Sequence, residues 1–204
     1  EIWQDANGNS ITNTTSVSAG SYYVTVTDDN GCTGNGIANV SDLSGPVGQI
    51  DGYGDASCYG SCDGFANIVV GGGTPNYTYV WQPQPGSGQG TTSATNLCAG
   101  IYTIDITDAN GCATSVIVNI NEPAQLSLTL ASSSDASGSG ICDGQATIST
   151  SGGSPNYSYF WFDDCNLTLP NTSINGTSVN NLCAGTYGVL VTDNNNCPDT
   201  LCIT

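Results

Sequence analysis

Cysteine is the side chain whose chemistry is announced by its spacing in this sequence. There are ten. No two stand in the Cys-x-x-Cys arrangement of a zinc site, and no histidine is present to complete a mixed one. An even count at recurring positions instead predicts disulfides, and with them an oxidising compartment. Cys62 and Cys98 recur, in the same surroundings, as Cys142 and Cys183. We therefore expect bridges Cys62–Cys98 and Cys142–Cys183. The loops they close, of about 35 and about 40 residues, would each contribute ~3–4 kcal/mol by restricting the unfolded chain. Cys58 is then assigned to Cys112. Later in the chain Gly138 stands at the position equivalent to Cys58, so Cys197 must find Cys165 or Cys202, neither of which has a counterpart elsewhere.

Little else is equipped for chemistry. The chain has no Lys, Arg or His, and 17 Asp and Glu give a formal net charge of −17. Without His, Ser–His–Asp and Cys–His catalysis cannot be assembled, and the commonest general base is missing. Without Lys or Arg nothing neutralises phosphate, which argues against nucleic acid, phosphate-cradling loops and anionic membrane surfaces. Two carboxylates could still act as acid and base, but no such pair recurs beside a pocket signature. Asp28, Asp29, Asp108, Asp193 and the pair Asp163-Asp164 offer oxygens to Ca²⁺. They lack the periodicity of an EF-hand, and Asp and Asn are good turn residues in their own right. The expectation is a protein that is not an enzyme and has no cofactor and no metal site. No apolar run reaches about 18 residues, so no transmembrane helix is expected. No leader is visible, so an exported chain has lost it or carries it upstream. Trypsin-type proteases, which need Lys or Arg, find nothing to cut; that is useful outside a cell.

An internal repeat positions these residues. Ala19-Gly20-Ser21-Tyr22 returns as Ala99-Gly100-Ile101-Tyr102 and as Ala184-Gly185-Thr186-Tyr187. Thr27-Asp28-Asp29-Asn30-Gly31-Cys32 returns at Thr107 to Cys112 and at Thr192 to Cys197, so the period is 80 residues and then 85. Cys62-Asp63-Gly64 matches Cys142-Asp143-Gly144, and Gly72 to Tyr77 matches Gly152 to Tyr157. Trp81 matches Trp161 and Trp3. Residues 1–42 are therefore the C-terminal half of a repeat, and 43–122 a complete one. Residues 123–204 are a second complete repeat, with a 5-residue insertion between Trp161 and Leu182. Tyr102, Ile104 and Ile106 alternate with polar residues, as do Tyr187, Val189 and Val191, and Tyr22, Val24 and Val26. Period 2 means strands with one buried face. Asn-Gly turns link them, and no stretch has a helical period. Short strands in units of about 80 residues predict an all-β chain of tandem immunoglobulin-like β-sandwiches stapled by disulfides.

Three ordered motifs recur in register: Gly-Gly-x-Pro-Asn-Tyr-x-Tyr-x-Trp, Leu-Cys-Ala-Gly-x-Tyr and Thr-Asp-x-Asn-Gly-Cys. With them the chain resembles the SprB-type repeat along essentially its whole length. It is similar, more distantly, to PKD domains, but Gln82-Pro83-Gln84-Pro85 stands where the PKD pattern should follow the Trp. The SprB resemblance implies the fold and a place on the surface of gliding Bacteroidota or in related secreted proteins. It implies molecular role only broadly, because fold is not function. Asp199-Thr200-Leu201 resembles the O-glycosylation motif of such proteins. Asn166, Asn171 and Asn175 begin three sequons packed into one loop and are candidate N-glycosylation sites, with unmodified polar surface as the alternative.

The aromatics and the unpaired features complete the reading. Trp3, Trp81 and Trp161 could stack on sugar, but a Trp repeated once per sandwich is more often its core. Tyr22, Tyr102 and Tyr187 resemble tyrosine corners. The cognate partner of Cys32 falls before Glu1. It is bonded to a residue further upstream, to another subunit, or to some other cysteine of the chain. The half unit leaves an open apolar face that a strand from a neighbour could close, building a head-to-tail filament. The expected function is extracellular and structural: a subunit of a cell-surface filament or an adhesin stalk. Its partners would be other copies of itself and glycans. The rivals are a carbohydrate-binding module, with or without Ca²⁺, and a spacer in a larger secreted protein.

Overall fold

The computed structural model describes residues 1–167, 170, 171 and 176–204. Four strands come first: β1 (Ile2–Gln4), β2 (Ser10–Ile11), β3 (Gly20–Thr27) and β4 (Thr33–Val40). Six follow: β5 (Pro46–Gly54), β6 (Gly64–Gly72), β7 (Thr78–Gln82), β8 (Ser93–Leu97), β9 (Gly100–Thr107) and β10 (Ala113–Ile120). The last seven are β11 (Ser127–Ser134), β12 (Gly144–Ser151), β13 (Ser158–Phe162), β14 (Pro170–Asn171), β15 (Ser178–Leu182), β16 (Tyr187–Thr192) and β17 (Pro198–Ile203). Among the described residues there is no helix, and so none long and apolar enough to cross a membrane.

The middle unit shows how alternation builds the sandwich. One sheet has the order β5-β6-β8 and the other β10-β9-β7, all neighbours antiparallel. Lettered A, B, C, E, F and G along the chain, the strands form an A-B-E sheet facing a G-F-C sheet, as in an immunoglobulin-type sandwich. The inward residues of β9 are Tyr102, Ile104 and Ile106, all buried. They meet Ala66 and Ile68 of β6, Ala94 and Leu97 of β8, and Val118 and Ile120 of β10. Trp81 on strand C lies between the sheets at 1% exposure. The last unit repeats this with sheets β11-β12-β15 and β14-β13-β16-β17, around Trp161, Val189 and Val191.

A tyrosine fixes each E–F corner. Tyr102 Oη donates to the Cys98 carbonyl at 3.2 Å, and Tyr187 Oη to that of Cys183 at 3.1 Å. Tyr22 does the same to Ser18 at 2.6 Å, so the half unit keeps this corner. Its single sheet, β2-β1-β3-β4, is the C-F-G sheet without its mate. Trp3 pairs with Val24 as Trp81 pairs with Ile104 and Trp161 with Val189.

Candidate assembly joints

The loop between strands F and G is built around one aspartate. Asp108 Oδ1 accepts the N–H groups of Asn110 and Cys112, both at 2.9 Å, and Oδ2 accepts that of Thr74 at 2.9 Å from the neighbouring B–C turn. Asp193 is set in the same way by Asn195, Cys197 and Ser154 at 2.8, 2.9 and 2.8 Å. The approach needs glycine opposite: a Cβ on Gly73 would stand 2.8 Å from Asp108 Oδ2, and one on Gly153 2.7 Å from Asp193 Oδ2. Both glycines have positive φ, +61° and +60°. This accounts for the Gly-Gly of the recurring motif. The N–H of Thr74, followed by those of Cys112 and Asn110, holds the Asp108 carboxyl below the usual carboxylate range. At Asp193 burial pushes upward, but the donors from Ser154, Cys197 and Asn195 together outweigh it and the net direction is down. These carboxylates are turn caps whose oxygens face N–H donors. Among the described residues no group of three or more His, Cys, Asp or Glu could hold a metal ion.

Each such turn presents a cysteine: Cys32, Cys112 or Cys197. Cys112 does not bond Cys58. The A–B loop carrying Cys58 lies at the far end of β10, where the N–H of Ala56 donates to the Asn121 carbonyl at 2.9 Å. Cys112 lies at the near end of the same eight-residue strand. Eight residues of strand span about 25 Å, whereas a disulfide needs Cα atoms within about 7 Å. Cys58 bonds Cys197 of the next unit instead, with Cα atoms 5.7 Å apart. Cys165 bonds Cys202, tying the long loop after β13 to β17. Bridges also join Cys62 to Cys98 and Cys142 to Cys183. Cys32 is free and exposed, and Cys112 is free and partly exposed.

The bond between Cys58 and Cys197 lies in a polar joint. Asn195 Nδ2 donates to the Ser57 carbonyl at 2.8 Å. The linker residue Asn121 donates its N–H to Asp55 Oδ1 at 2.9 Å, and Glu122 Oε2 accepts the N–H of Gly60 at 2.6 Å. Asp63 supports the loop by accepting from the hydroxyl and N–H of Ser57, and its carboxyl is lowered by those bonds. The A–B loop of one unit thus sits on the F–G loop of the next. Inter-unit pairing escaped the sequence reading, which sought partners within units. The available signal was the phase of the cysteines: Cys58 has no counterpart at its place in the other A–B loop, whereas Cys32, Cys112 and Cys197 recur at the F–G turn.

The half unit has a sheet with one face uncovered. Val26 is 44% exposed, whereas its equivalents Ile106 and Val191 are fully buried. Trp3 is half-buried. Residues 13–17 lie one 80-residue period before β8, but they form bends at 14–16 and no strand. Their pairing partner would be a B strand, and none lies within residues 1–42. A cleft of about 260 Å³ opens among Trp3, Ile11, Thr14, Val17, Tyr22, Ala38 and Val40.

The remaining candidates are placed as follows. Trp81 and Trp161 donate their indole N–H to the carbonyls of Thr91 and Gly176, at 2.9 and 3.0 Å, and are buried. Neither offers a face to sugar. Asn166 and Thr200 are exposed. Asn175 and the side chain of Asn171 lie outside the described residues.

The SprB repeat family matches residues 54–86 and 132–164, about a third of the chain. Each match runs from the end of strand A through strand C; the Leu-Cys-Ala-Gly and Thr-Asp-x-Asn-Gly-Cys motifs, and the whole of residues 1–42, fall outside it. No curated protein matches the chain. Among solved structures, three N-terminal domains of the bacteriophage RB49 highly immunogenic outer capsid protein align over 99% of this chain and 83% of that one, at 13% identity and a TM-score of 0.40. Extracellular domains 3–5 of Drosophila OTK align over 90% and 69%, at 15% identity and a TM-score of 0.31. The IG1 and IG2 domains of DIP-gamma align over 77% and 95%, at 11% identity and a TM-score of 0.33. Likenesses this loose carry no argument, and the fold rests on its own strand order. What the match adds is a likeness at two places: residues 54–86 and 132–164, each within an immunoglobulin-like sandwich, match the SprB repeat.

Proposed function

We propose that this chain is a structural module of an extracellular assembly, a subunit of a surface filament or a length of adhesin stalk, and that its work is mechanical and not catalytic. The observation that carries this is the bond between Cys58 and Cys197. It ties one sandwich covalently to the next, so tension along the chain passes through a bridge as well as through the linker. Four disulfides among the described residues fit an oxidising, extracellular setting. Modules that touch mainly their neighbours suit extended shapes. In this reading the open sheet of residues 1–42 is an acceptor for strands that complete it, and exposed sites such as Asn166 and Thr200 carry glycan.

Electron microscopy of native material, with intact mass before and after reduction, tests the reading. Ordered filaments, or covalent multimers that reduction collapses, are expected. Compact monomers that release a small-molecule product from a polysaccharide would overturn it.

A further inference from the structure

We propose that the open first unit is completed by a β-hairpin of the β5–β6 build with a cysteine in its turn, and that this cysteine locks the joint by bonding Cys112. The inference rests on the acceptor reading above and adds the identity of the occupant and its covalent seal.

Two independent features call for the same missing element. The first is the open sheet. In the complete units its equivalent is covered by A, B and E strands. In the first unit the E segment is present, at residues 13–17, but has no B strand to pair with. What is lacking is therefore an A–B hairpin. The second feature is Cys112. Its turn is held by Asp108 as the turn of Cys197 is held by Asp193. Cys197 is bonded to the A–B turn of the unit before it. One unit back, the same rule pairs Cys112 with the A–B turn of the first unit. A single hairpin would cover Val26 and Trp3 and deliver a cysteine to Cys112. It is also the stretch within which the SprB match begins in the two complete units.

The folded repeats of a second copy cannot supply it. Their β5–β6 hairpin is engaged and its Cys58 already bonded, and the β11–β12 turn carries Gly138 at the corresponding place. The occupant is therefore a cysteine-bearing hairpin outside residues 1–204. The bond forms by thiol–disulfide exchange. The hairpin cysteine first forms a mixed disulfide with an oxidised small thiol such as glutathione disulfide. The Cys112 thiolate then attacks the hairpin sulfur, and the small thiol leaves and takes up a proton. Overall, two protein thiols and one small-molecule disulfide give one protein disulfide and two small thiols.

The test uses native material, alkylated before any reduction, then digested with chymotrypsin and mapped for disulfides. Cys112 should be protected from alkylation and linked to a cysteine peptide from outside residues 1–204. A Cys112 that alkylates freely, or is bonded to Cys32, overturns the lock. Hydrogen exchange reads the acceptor separately. Compared with isolated residues 1–204, the amides of residues 13–17 and of β3 should exchange about a hundredfold more slowly in native material. Protection with a free Cys112 leaves the acceptor reading standing and removes the lock. No protection and a free Cys112 removes both. A synthetic hairpin of residues 43–72 with Cys62→Ser, added to residues 1–204 in a glutathione redox buffer, should give a one-to-one adduct that Cys112→Ser reduces at least tenfold and Cys32→Ser leaves unchanged. An adduct that persists in Cys112→Ser overturns the lock.

Discussion

Cys58 and Cys197 stand 139 residues apart in the sequence and are joined by a disulfide between two separate sandwiches. Each sandwich has its own core, so the bridge couples two bodies that would otherwise unfold apart. The double variant Cys58→Ser/Cys197→Ser removes it without adding a free thiol to Cys32 and Cys112. Chain-entropy reasoning assigns a bridge of this span about 5 kcal/mol, which for a chain of this size corresponds to about 15 °C in Tm. We expect scanning calorimetry to show one shared transition of the two complete units in the parent and two separated, earlier ones in the variant. Superimposable thermograms would show that the linker and its hydrogen bonds couple the units without help.

Asp193 predicts a pH dependence whose sign follows from its environment. Its folded-state pKa is lowered, because the N–H donors of Ser154, Cys197 and Asn195 outweigh the upward push of burial. A lowered carboxylate contributes stability that is present above its unfolded pKa and is lost as pH falls through the folded value. Asp193→Asn should therefore lower Tm by about 3 °C at pH 7, with the deficit closing as pH falls below the ordinary carboxylate range. The comparison must be made as a difference between variant and parent. Discharging the acids, 17 in the parent and one fewer in the variant, with no Lys or Arg to pair them, relieves repulsion in both. A deficit that stays constant down to pH 2 would assign the loss to shape and not to charge.

These two sites differ in how far the sequence disclosed them. Strands F and G were legible because Tyr102, Ile104 and Ile106 face one core and alternate with polar residues, a pattern set by local backbone geometry. Trp81 was legible because one large aromatic recurs per unit. The F–G turn was legible as a turn, but the purpose of its aspartate was not: Thr74 N–H reaches Asp108 from 34 residues away. The partner of Cys58 was hidden for a related reason. Motif phase says what each unit contains, whereas pairing depends on which ends of two sandwiches meet, and β10 separates Cys112 from Cys58 by its full length. β5 and β8 also went unread, being rich in Gly, Ser, Thr and Asn and held mainly by their neighbours in the sheet.

The three tryptophans should report separately on closed and open units. Trp81→Ala removes a side chain 1% exposed and packed between two sheets, and should cost about 3–5 kcal/mol. Trp3 is only half-buried, on a sheet with no mate, so Trp3→Ala should cost about 1 kcal/mol or less. Denaturant titration gives both values. In a Trp81→Phe/Trp161→Phe background the remaining emission should be red-shifted and quenched readily by acrylamide. Equal costs for the two alanine variants would mean that the first unit has a closed core in solution.

Proteolysis should find the same weakness. The chain has no Lys or Arg, so trypsin leaves it intact even when unfolded, and chymotrypsin is the useful probe. Cleavage within a strand needs local opening, and opening costs least where the fewest apolar side chains are covered. Tyr23 lies in β3 of the unmated sheet and is 44% exposed, whereas Thr103 stands at its place in the next unit and the tyrosine of β9, Tyr102, is buried in a closed core. Brief digestion should therefore cut within residues 1–42 about tenfold to a hundredfold faster than within β9 or β16. The surviving fragment should retain the bridge between Cys58 and Cys197, visible as a mass that reduction raises by two hydrogens per disulfide. First cuts in β9 or β16 would mean that the half sheet is held as firmly as the full sandwiches, and the idea of an unfilled acceptor would have to be abandoned.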